Sequence, residues 1–368
     1  MKGWKIGSVI FVILLLAFAI VYIWMNDVGG DDQDGINDWN KNVSKEDIQA
    51  FQDALHDHDY QRLDLLLKKG VSPNTSDEYQ NTAITYAVES GDMDGLRLLA
   101  KYRVNVNTLD KDGMSLLQKA IEREDISMVD CLIDLGANVS QIDKNGETAL
   151  WHAAKTGNVE ILDLLVKAGA DINATNFAGE NVIFQDIRAN ANETIKYLVA
   201  KGLKLDIKNN KKESAAYEHL DNPDQFQSML DNGLNPNMVE RDNEPLLIEA
   251  IESQYYTQVK ELIKSGANPN AKDKYKEPVL HIAIDRVNLS TVQLLIASGA
   301  DVNAVDDYGD TALMRAVTSQ KKSSVAAILA TNKAVLDKKN KAGKTALQLA
   351  QEHKYVEIMD ILKINSKK

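Results

Sequence analysis

The chain of 368 residues contains one cysteine, Cys131, and this scarcity limits its covalent and its metal chemistry. A single cysteine cannot close an intramolecular disulfide and cannot supply a cysteine-based metal cluster. The folded part of the protein must therefore be stabilised by packing. Cys131 aligns with Leu164 in the internal repeat described below, so we interpret it as a small core residue rather than a reactive thiol.

Positively charged residues are fewer than negatively charged ones. The sequence has 42 Lys and Arg residues against 54 Asp and Glu residues, which gives a formal net charge of -12 at pH 7. An acidic chain is poorly suited to nucleic acid, or to docking on an anionic membrane surface by charge alone. An electropositive protein surface is the partner that this charge favours.

Long apolar runs are missing after residue 25, but one such run occupies the amino terminus. Residues 6–25 carry no charge and, as a helix, would extend about 30 Å, the thickness of the hydrocarbon core. We therefore predict a transmembrane signal-anchor helix over residues 6–25. Lys2 and Lys5 precede this run and only aspartates follow it closely, so residues 1–5 are predicted to form a short cytoplasmic end.

This orientation predicts a single-pass protein of the cytoplasmic membrane, with the rest of the chain in the periplasm or outside the cell. Cleavage as a signal peptide near residues 17–19, Ala-Phe-Ala, is the alternative. Residues 26–43 are acidic and rich in Gly, Asp and Asn, which predicts a flexible linker. Residues 32–35 weakly resemble a calcium loop, but Gly30 and Lys41 fall at positions where ligands would be required.

From Ser44 onward the sequence repeats itself, and two independent markers share one period. The residue that precedes a polar turn recurs every 33 residues, with one interval of 31; it falls at Gly70, Arg103, Gly136, Gly169, Gly202, Gly233, Gly266, Gly299 and Asn332. The residue that opens each repeat recurs with the same period. It falls at Thr82, Ser115, Thr148, Asn181, Ser214, Pro245, Pro278, Thr311 and Thr345. This agreement excludes coincidence and predicts a repeat architecture.

The repeat is clearest in residues 145–154, NGETALWHAA, followed by GNVEI at 157–161, Leu164-Leu165 and GADINA at 169–174. This pattern is similar to the ankyrin repeat. The resemblance covers residues 44–364, about ten repeats, and leaves residues 365–368 as a C-terminal tail. It implies an all-α ankyrin-repeat solenoid of helix-turn-helix repeats with hairpin tips. With the amino-terminal anchor, we expect a membrane-anchored bacterial member of this family.

Individual residues of the repeat have physical roles. Thr148 is predicted to cap the first helix through its hydroxyl, while Leu164 fills the interior. Gly169 follows the second helix, where a left-handed backbone favours Gly or Asn. Ser44 and Asp47 predict a capping box at the first helix of the array.

Two repeats in the middle of the array depart from the pattern. The first helix of the other repeats has alanine at a position that Asp186 and His219 occupy here, and the second of these repeats is two residues shorter. Either these repeats have drifted and bend the stack locally, or Asp186, Arg188 and His219 form a polar pocket or hinge for a partner. Both interpretations stay open.

The sequence offers little for catalysis. Its histidines show no metal-ligand or catalytic-triad spacing, and it has no glycine-rich phosphate loop, nucleophile elbow or paired catalytic carboxylates. The only histidine cluster, in residues 56–59, aligns with an exposed turn. We predict a protein that is not an enzyme and has no catalytic residue, no metal ion and no cofactor.

The family resemblance implies that partners contact the hairpin tips and the exposed side of the first helices. Large aromatic residues on exposed turns anchor interfaces, although packing between neighbouring tips is an equal alternative for Tyr275 and Tyr308. The candidate partner-binding residues at the tips are Tyr79, Phe177, Tyr275 and Tyr308. Further candidates near the first helices are Trp151, Lys155, Asp186, Arg188, Tyr255, Tyr256 and Arg286.

Taken together, these features predict a protein–protein interaction module anchored in the cytoplasmic membrane. We expect it to bind and inhibit a periplasmic protein with a basic surface, for example as an immunity protein that neutralises a secreted toxin or lipase effector. That example rests on analogy with other membrane-tethered repeat proteins. The alternative is a structural adaptor or scaffold of an envelope complex. No nucleic acid is expected as a partner, and the membrane is contacted through the amino-terminal helix only.

Overall fold

The computed structural model describes residues 39–41, 43–77, 79, 81–110, 113–286 and 289–366. The predicted transmembrane helix at residues 6–25 and most of the predicted linker lie outside these residues. None of the helices in the described ranges is long and apolar enough to cross a membrane. The chain divides into two compact units, Met1–Thr108 and Leu109–Lys368, which we call the amino-terminal and the carboxy-terminal unit.

Regular structure in the described residues is helical, and β-type pairing there is limited to isolated bridges at the hairpins. The prediction of an all-α repeat fold is confirmed. The amino-terminal unit contains α1 (Lys45–His56), α2 (Tyr60–Lys69), α3 (Ala83–Ser90) and α4 (Met93–Ala100). The carboxy-terminal unit begins with α5 (Leu116–Glu122), α6 (Ile126–Asp134), α7 (Ala149–Thr156), α8 (Val159–Lys167), α9 (Ala191–Ala200), α10 (Ala215–Glu218) and α11 (Pro223–Asp231). It continues with α12 (Leu246–Glu252), α13 (Tyr256–Lys264), α14 (Val279–Arg286), α15 (Leu289–Ala297), α16 (Ala312–Thr318), α17 (Lys322–Ala330), α18 (Ala346–Glu352) and α19 (Val356–Asn365).

Helices pack both within and between repeats. In the carboxy-terminal unit, α7 contacts α8 of its own repeat and α5 of the preceding one. The side chains between them, including Leu150, Ile161 and Leu165, are fully buried. Burying one such side chain stabilises the fold by about 1.5–3 kcal/mol, and much of that burial is against the neighbouring repeat.

The ends of the helices agree with the predictions except at one position. Ser44 and Asp47 form the predicted capping box at α1. Gly169 and Asn332 take the predicted left-handed conformation, with φ of 92° and 56°. Thr148 has the extended backbone of a cap, but its side chain makes no capping hydrogen bond, so the prediction for its hydroxyl was wrong.

The repeat domain starts earlier than the predicted boundary at Ser44. Asn40 lies in the predicted linker, yet its backbone N–H donates to the Gly70 carbonyl at 2.8 Å. Its side-chain oxygen accepts a hydrogen bond from the Ser72 N–H at 3.1 Å. The chain is therefore fixed to the first repeat at residue 40.

The middle repeats differ from the rest because one first helix is almost lost. Residues Val182–Phe184 form a single 3-10 turn where the other repeats have an α-helix, and α10 has only four residues. Gln225 is fully buried and replaces part of the missing helical hydrogen bonds. Its Oε1 accepts from the Ile187 N–H at 3.0 Å, and its Nε2 donates to the Gln185 carbonyl at 2.8 Å.

This irregular segment also lies tightly against the preceding repeat. Gly157 has a φ of 74°, and a Cβ at this position would lie 1.9 Å from the carbonyl oxygen of Ala189. Only glycine allows this close approach. The local irregularity is thus accommodated by specific packing.

Asparagine side chains join successive turns of the carboxy-terminal unit. Asn270 donates from Nδ2 to the Gly299 carbonyl at 3.1 Å and accepts from the Asp301 N–H at 2.7 Å. Asn173, Asn237 and Asn303 make the same pair of bonds one repeat onward. Each asparagine satisfies two backbone groups that would otherwise need water, and it sets the spacing of two turns.

We expect Asn270→Ala to lower the free energy of unfolding by about 1–3 kcal/mol, since two backbone groups lose their partner. Urea denaturation followed by circular dichroism measures this change. Asn268→Ala is the matched control, because the Asn268 side chain accepts only the local bond from the Asn270 N–H. An equal loss in both variants would contradict the proposed link between repeats.

Candidate protein-binding surface

The hairpin tips are held in one conformation by the side chain that opens each hairpin. Asp273 Oδ1 accepts hydrogen bonds from the backbone N–H groups of Tyr275 and Glu277 at 2.8 and 2.7 Å. Asp306 does the same for Tyr308 and Asp310. Because these backbones are fixed, an aromatic side chain at the tip is presented to a partner at little cost in backbone entropy.

The aromatic residues at the tips of the carboxy-terminal unit differ in how closely they pack on a neighbouring hairpin. Phe177 is 64% exposed, although one edge of its ring lies against the preceding hairpin: a Cβ at Gly146 would lie 2.8 Å from that ring. Tyr275 and Tyr308 remain 70% and 72% exposed, so neither ring buries the other. Packing between these two tips does not account for them. In the amino-terminal unit, Tyr79 is 74% exposed and its N–H is likewise held by Asp77.

Beside the Tyr275 hairpin lies a group of glutamates that sequence reasoning missed. The Lys274 N–H, next to Tyr275, donates to Glu244 at 3.4 Å. Glu244 is 5% exposed, and its Oε1 has no hydrogen-bond partner among the described residues. We name this group the acidic cluster; its members are Glu240, Glu244, Glu249 and Glu252.

Negative charge in the acidic cluster is only partly compensated. Burial, and then the charges of Glu244 and Glu252, raise the pKa of the Glu249 carboxyl. Burial likewise raises the pKa of Glu244. Arg286 reaches Glu252 only at 3.9 Å from an exposed position. A cationic side chain from a partner would neutralise charges that this fold leaves close together.

The other candidates form a second group, away from the tips. Tyr255 and Tyr256 lie at the turn between α12 and α13, and Arg286 ends α14. A first helix begins at its hairpin and runs about 10 Å, so these residues lie at the opposite end of the repeat. The structure therefore does not join Tyr255 and Tyr256 with the tips, whereas Arg286 contacts Glu252 at the far end of the acidic cluster.

The polar residues of the middle repeats do not line one open pocket. Asp186 and Arg188 are exposed, and Asp186 accepts a hydrogen bond from Asn222 at 3.0 Å. His219 is buried, with Nε2 3.1 Å from the Phe184 carbonyl, and burial lowers its pKa. These contacts give Asp186 and His219 a structural role in holding the shortened repeat.

Trp151 must be removed from the candidate surface. Its ring is only 6% exposed, because it sits in the first half of α7 among side chains that pack between repeats. Lys155, one turn later in the same helix, remains half-buried. Sequence alone did not separate these positions, since both belong to the same short helix.

The sequence predicts no metal ion, but some side chains in the fold are potential metal ligands. In the histidine cluster of residues 56–59, His58 Nδ1 lies 3.2 Å from the Tyr60 hydroxyl, and Asp59 caps α2. Within the described ranges, a single group of three ligand atoms converges, and it is formed by Asp143, Glu147 and His152. It was not recognised in the sequence because the spacing of these three residues, on a hairpin and the helix that follows it, matches no familiar metal-binding motif.

The fold and its exposed hairpin tips define a helical-repeat protein that binds other proteins. A family model described as ankyrin repeats, three copies, matches residues 51–143, 98–176, 213–306 and 280–368. These matches span more than half of the sequence, and the chain belongs to the ankyrin-repeat family. Its repeats make it a protein–protein interaction module.

Comparison with solved structures agrees with this assignment. The chain is similar to the crystal structure of the ankyrin repeat domain of Bcl-3, described as a unique member of the IκB protein family. The identity is 20% and the TM-score 0.51, over 57% of this chain and 96% of that one. At this identity the likeness concerns the fold alone. No curated protein sequence gives a significant match.

The acidic cluster predicts a gain in stability when one of its charges is removed. The pKa of Glu249 is raised in the folded state, so the folded chain binds more protons than the unfolded chain above the ordinary Glu pKa. Deprotonation of Glu249 therefore lowers the free energy of unfolding as the pH rises through the raised pKa that this group has in the folded state. We expect Glu249→Gln to be more stable than the natural chain at pH 7, and to lose less stability between pH 5 and pH 7.

Thermal denaturation at several pH values, followed by circular dichroism, measures both effects. Glu160→Gln is the control, because Glu160 is an exposed residue of α8 and lies outside the acidic cluster. A fall in the melting temperature of Glu249→Gln at pH 7 would show that the carboxylate is stabilised rather than strained.

Proposed function

We propose that the repeat domain binds and inhibits a partner protein with a basic surface, while residues 6–25 anchor it in the cytoplasmic membrane of a bacterium. In this proposal the domain lies in the periplasm, and the partner is a secreted toxin or enzyme, such as a lipid-degrading effector. The protein would then act as an immunity protein.

One observation carries the proposal: two tyrosines are exposed on fixed hairpin tips, and the hairpin of one of them, Tyr275, lies beside incompletely neutralised glutamates. Tyr275 is 70% exposed and belongs to the hairpin that also hydrogen-bonds Glu244. Tyrosines on rigid backbones are typical interface anchors, whereas clustered charge mainly steers and selects the partner. This combination supports a partner that offers an apolar pocket flanked by Lys or Arg side chains.

The partner is to be isolated by crosslinking and co-purification with the full chain, and its affinity then measured with purified proteins. We expect the double variant Tyr275→Ala, Tyr308→Ala to weaken binding at least about 30-fold, as loss of a hot spot of 2 kcal/mol or more requires. Val356→Ala is the control, because Val356 is 64% exposed in α19 and is not a candidate residue. Equal losses in the two would exclude the hairpin tips as the anchor.

Inhibition is tested separately from binding. Cells producing the isolated partner should survive when they also produce the natural chain and should be damaged when they produce the double tyrosine variant. A partner that binds with high affinity but keeps its full activity would instead support a structural adaptor of an envelope complex.

Membrane anchoring has its own test. We expect the full chain to stay in the membrane fraction after an alkaline wash, and its repeat domain to be digested by protease added to spheroplasts. Leu15→Arg should release it or prevent export, since a charge at the centre of a span costs about 2.5–3.5 kcal/mol. A repeat domain protected from external protease would contradict the proposed orientation.

A further inference from the structure

Three carboxylate side chains surround one imidazole ring, that of His152, in the carboxy-terminal unit. His152 Nε2 lies 3.2 Å from Asp143 Oδ2 and 3.9 Å from Glu147 Oε2. The ligand atoms of Asp143, Glu147 and His152 all lie within 4.8 Å of one another. On the opposite side of the ring, Nδ1 lies 3.4 Å from Glu122 Oε1.

The position of His152 belongs to a regular contact of the repeats. In other repeats too, the side chain that opens the hairpin is contacted by the residue nine positions later. In one of them Asp77 opens the hairpin, and the Tyr86 hydroxyl donates a hydrogen bond to it at 2.6 Å. Asn209 similarly bonds Glu218 at 2.8 Å. A single hydrogen bond or ion pair is enough for this structural contact.

The repeat that contains His152 adds further carboxylates to this contact. Asp143 and His152 are each 7% exposed, so both are removed from water. Negative charge is thus gathered around a nitrogen ligand in a place where hydration compensates for it poorly.

The distances suit a small divalent transition metal. Nitrogen and oxygen ligands bind Zn²⁺ at about 2.0–2.2 Å, so tetrahedral neighbours lie roughly 3.3 Å apart. The separation of 3.2 Å between His152 Nε2 and Asp143 Oδ2 fits this geometry, and that of 3.9 Å to Glu147 Oε2 requires a small rotation of the Glu147 side chain, which is 20% exposed. The exposed side of Glu147 leaves a path for the ion and a fourth position for water.

Glu122 provides a second observation that points to a metal. Metal-bound histidines usually donate their other ring N–H to a carboxylate, which fixes the tautomer and orients the ring. Glu122 occupies this place at Nδ1, leaving Nε2 directed at Asp143 and Glu147. The imidazole ligand favours Zn²⁺ and similar ions over Mg²⁺ and Ca²⁺, which prefer oxygen ligands alone.

We propose that Asp143, Glu147 and His152 bind one Zn²⁺ ion or a related divalent transition metal, with Glu122 as the residue that orients the imidazole. Glu122 ends α5, while the three ligands lie on the next hairpin and on α7. The ion would therefore link two successive repeats and stabilise their contact by mass action.

Calorimetric titration of the full chain, freed of metal with a chelator, tests this site without any partner protein. We expect one equivalent of ZnCl₂ to bind and to raise the melting temperature, and an equal concentration of MgCl₂ to do neither. Glu122→Gln should keep the stoichiometry but weaken binding about 10–100-fold, as for other orienting residues. His58→Ala, in the exposed histidine cluster, is the control and should bind like the natural chain.

His152→Tyr is the decisive variant, because a tyrosine already fills the same position at residue 86 and hydrogen-bonds its hairpin. It should fold, and it should lose the zinc equivalent. Unchanged zinc binding in His152→Tyr, or no zinc binding by the natural chain, would overturn the proposal and leave His152 as an ordinary ion-pair partner of Asp143.

Discussion

Hydrogen bonds from asparagine side chains to the next turn are the constraint on which the rest of the carboxy-terminal unit depends. Apolar packing alone is nondirectional, and it would tolerate small shifts of one helix pair against the next. Asn270 removes this freedom, because its amide contacts both the Gly299 carbonyl and the Asp301 N–H. The repeat distance, and with it the separation of neighbouring hairpins, is thereby fixed by backbone groups.

The hairpins are therefore regularly spaced along the unit, and each is built from local sequence signals. This is why much of the fold was predictable. Gly169 and Asn332 revealed the ends of helices because a left-handed backbone excludes most other residues. Ser44 and Asp47 revealed a cap for a similarly local reason. The exposed positions of Tyr275 and Tyr308 followed from their place in the repeat, without knowledge of any distant contact.

What could not be predicted depends on contacts between repeats. Trp151 looked available to a partner because periodicity assigns a residue to a helix, but it does not say how closely the next repeat covers it. The loss of a first helix at residues 182–184 required Gln225, about 40 positions away, to satisfy the freed backbone. The acidic cluster and the three ligands Asp143, Glu147 and His152 each lie within one repeat, on a hairpin and the helix that follows it, but their spacing matches no familiar sequence motif.

The attachment of Asn40 to the first repeat has a consequence for where the proposed binder can act. If residues 6–25 span the membrane as proposed, only residues 26–39 separate the span from the first fixed point, and the full extension of such a segment is at most about 50 Å. The repeat domain would then search a thin layer above the bilayer rather than the whole compartment. Confinement to such a layer raises its effective concentration toward a partner that works at the same surface, so even a modest intrinsic affinity would suffice there.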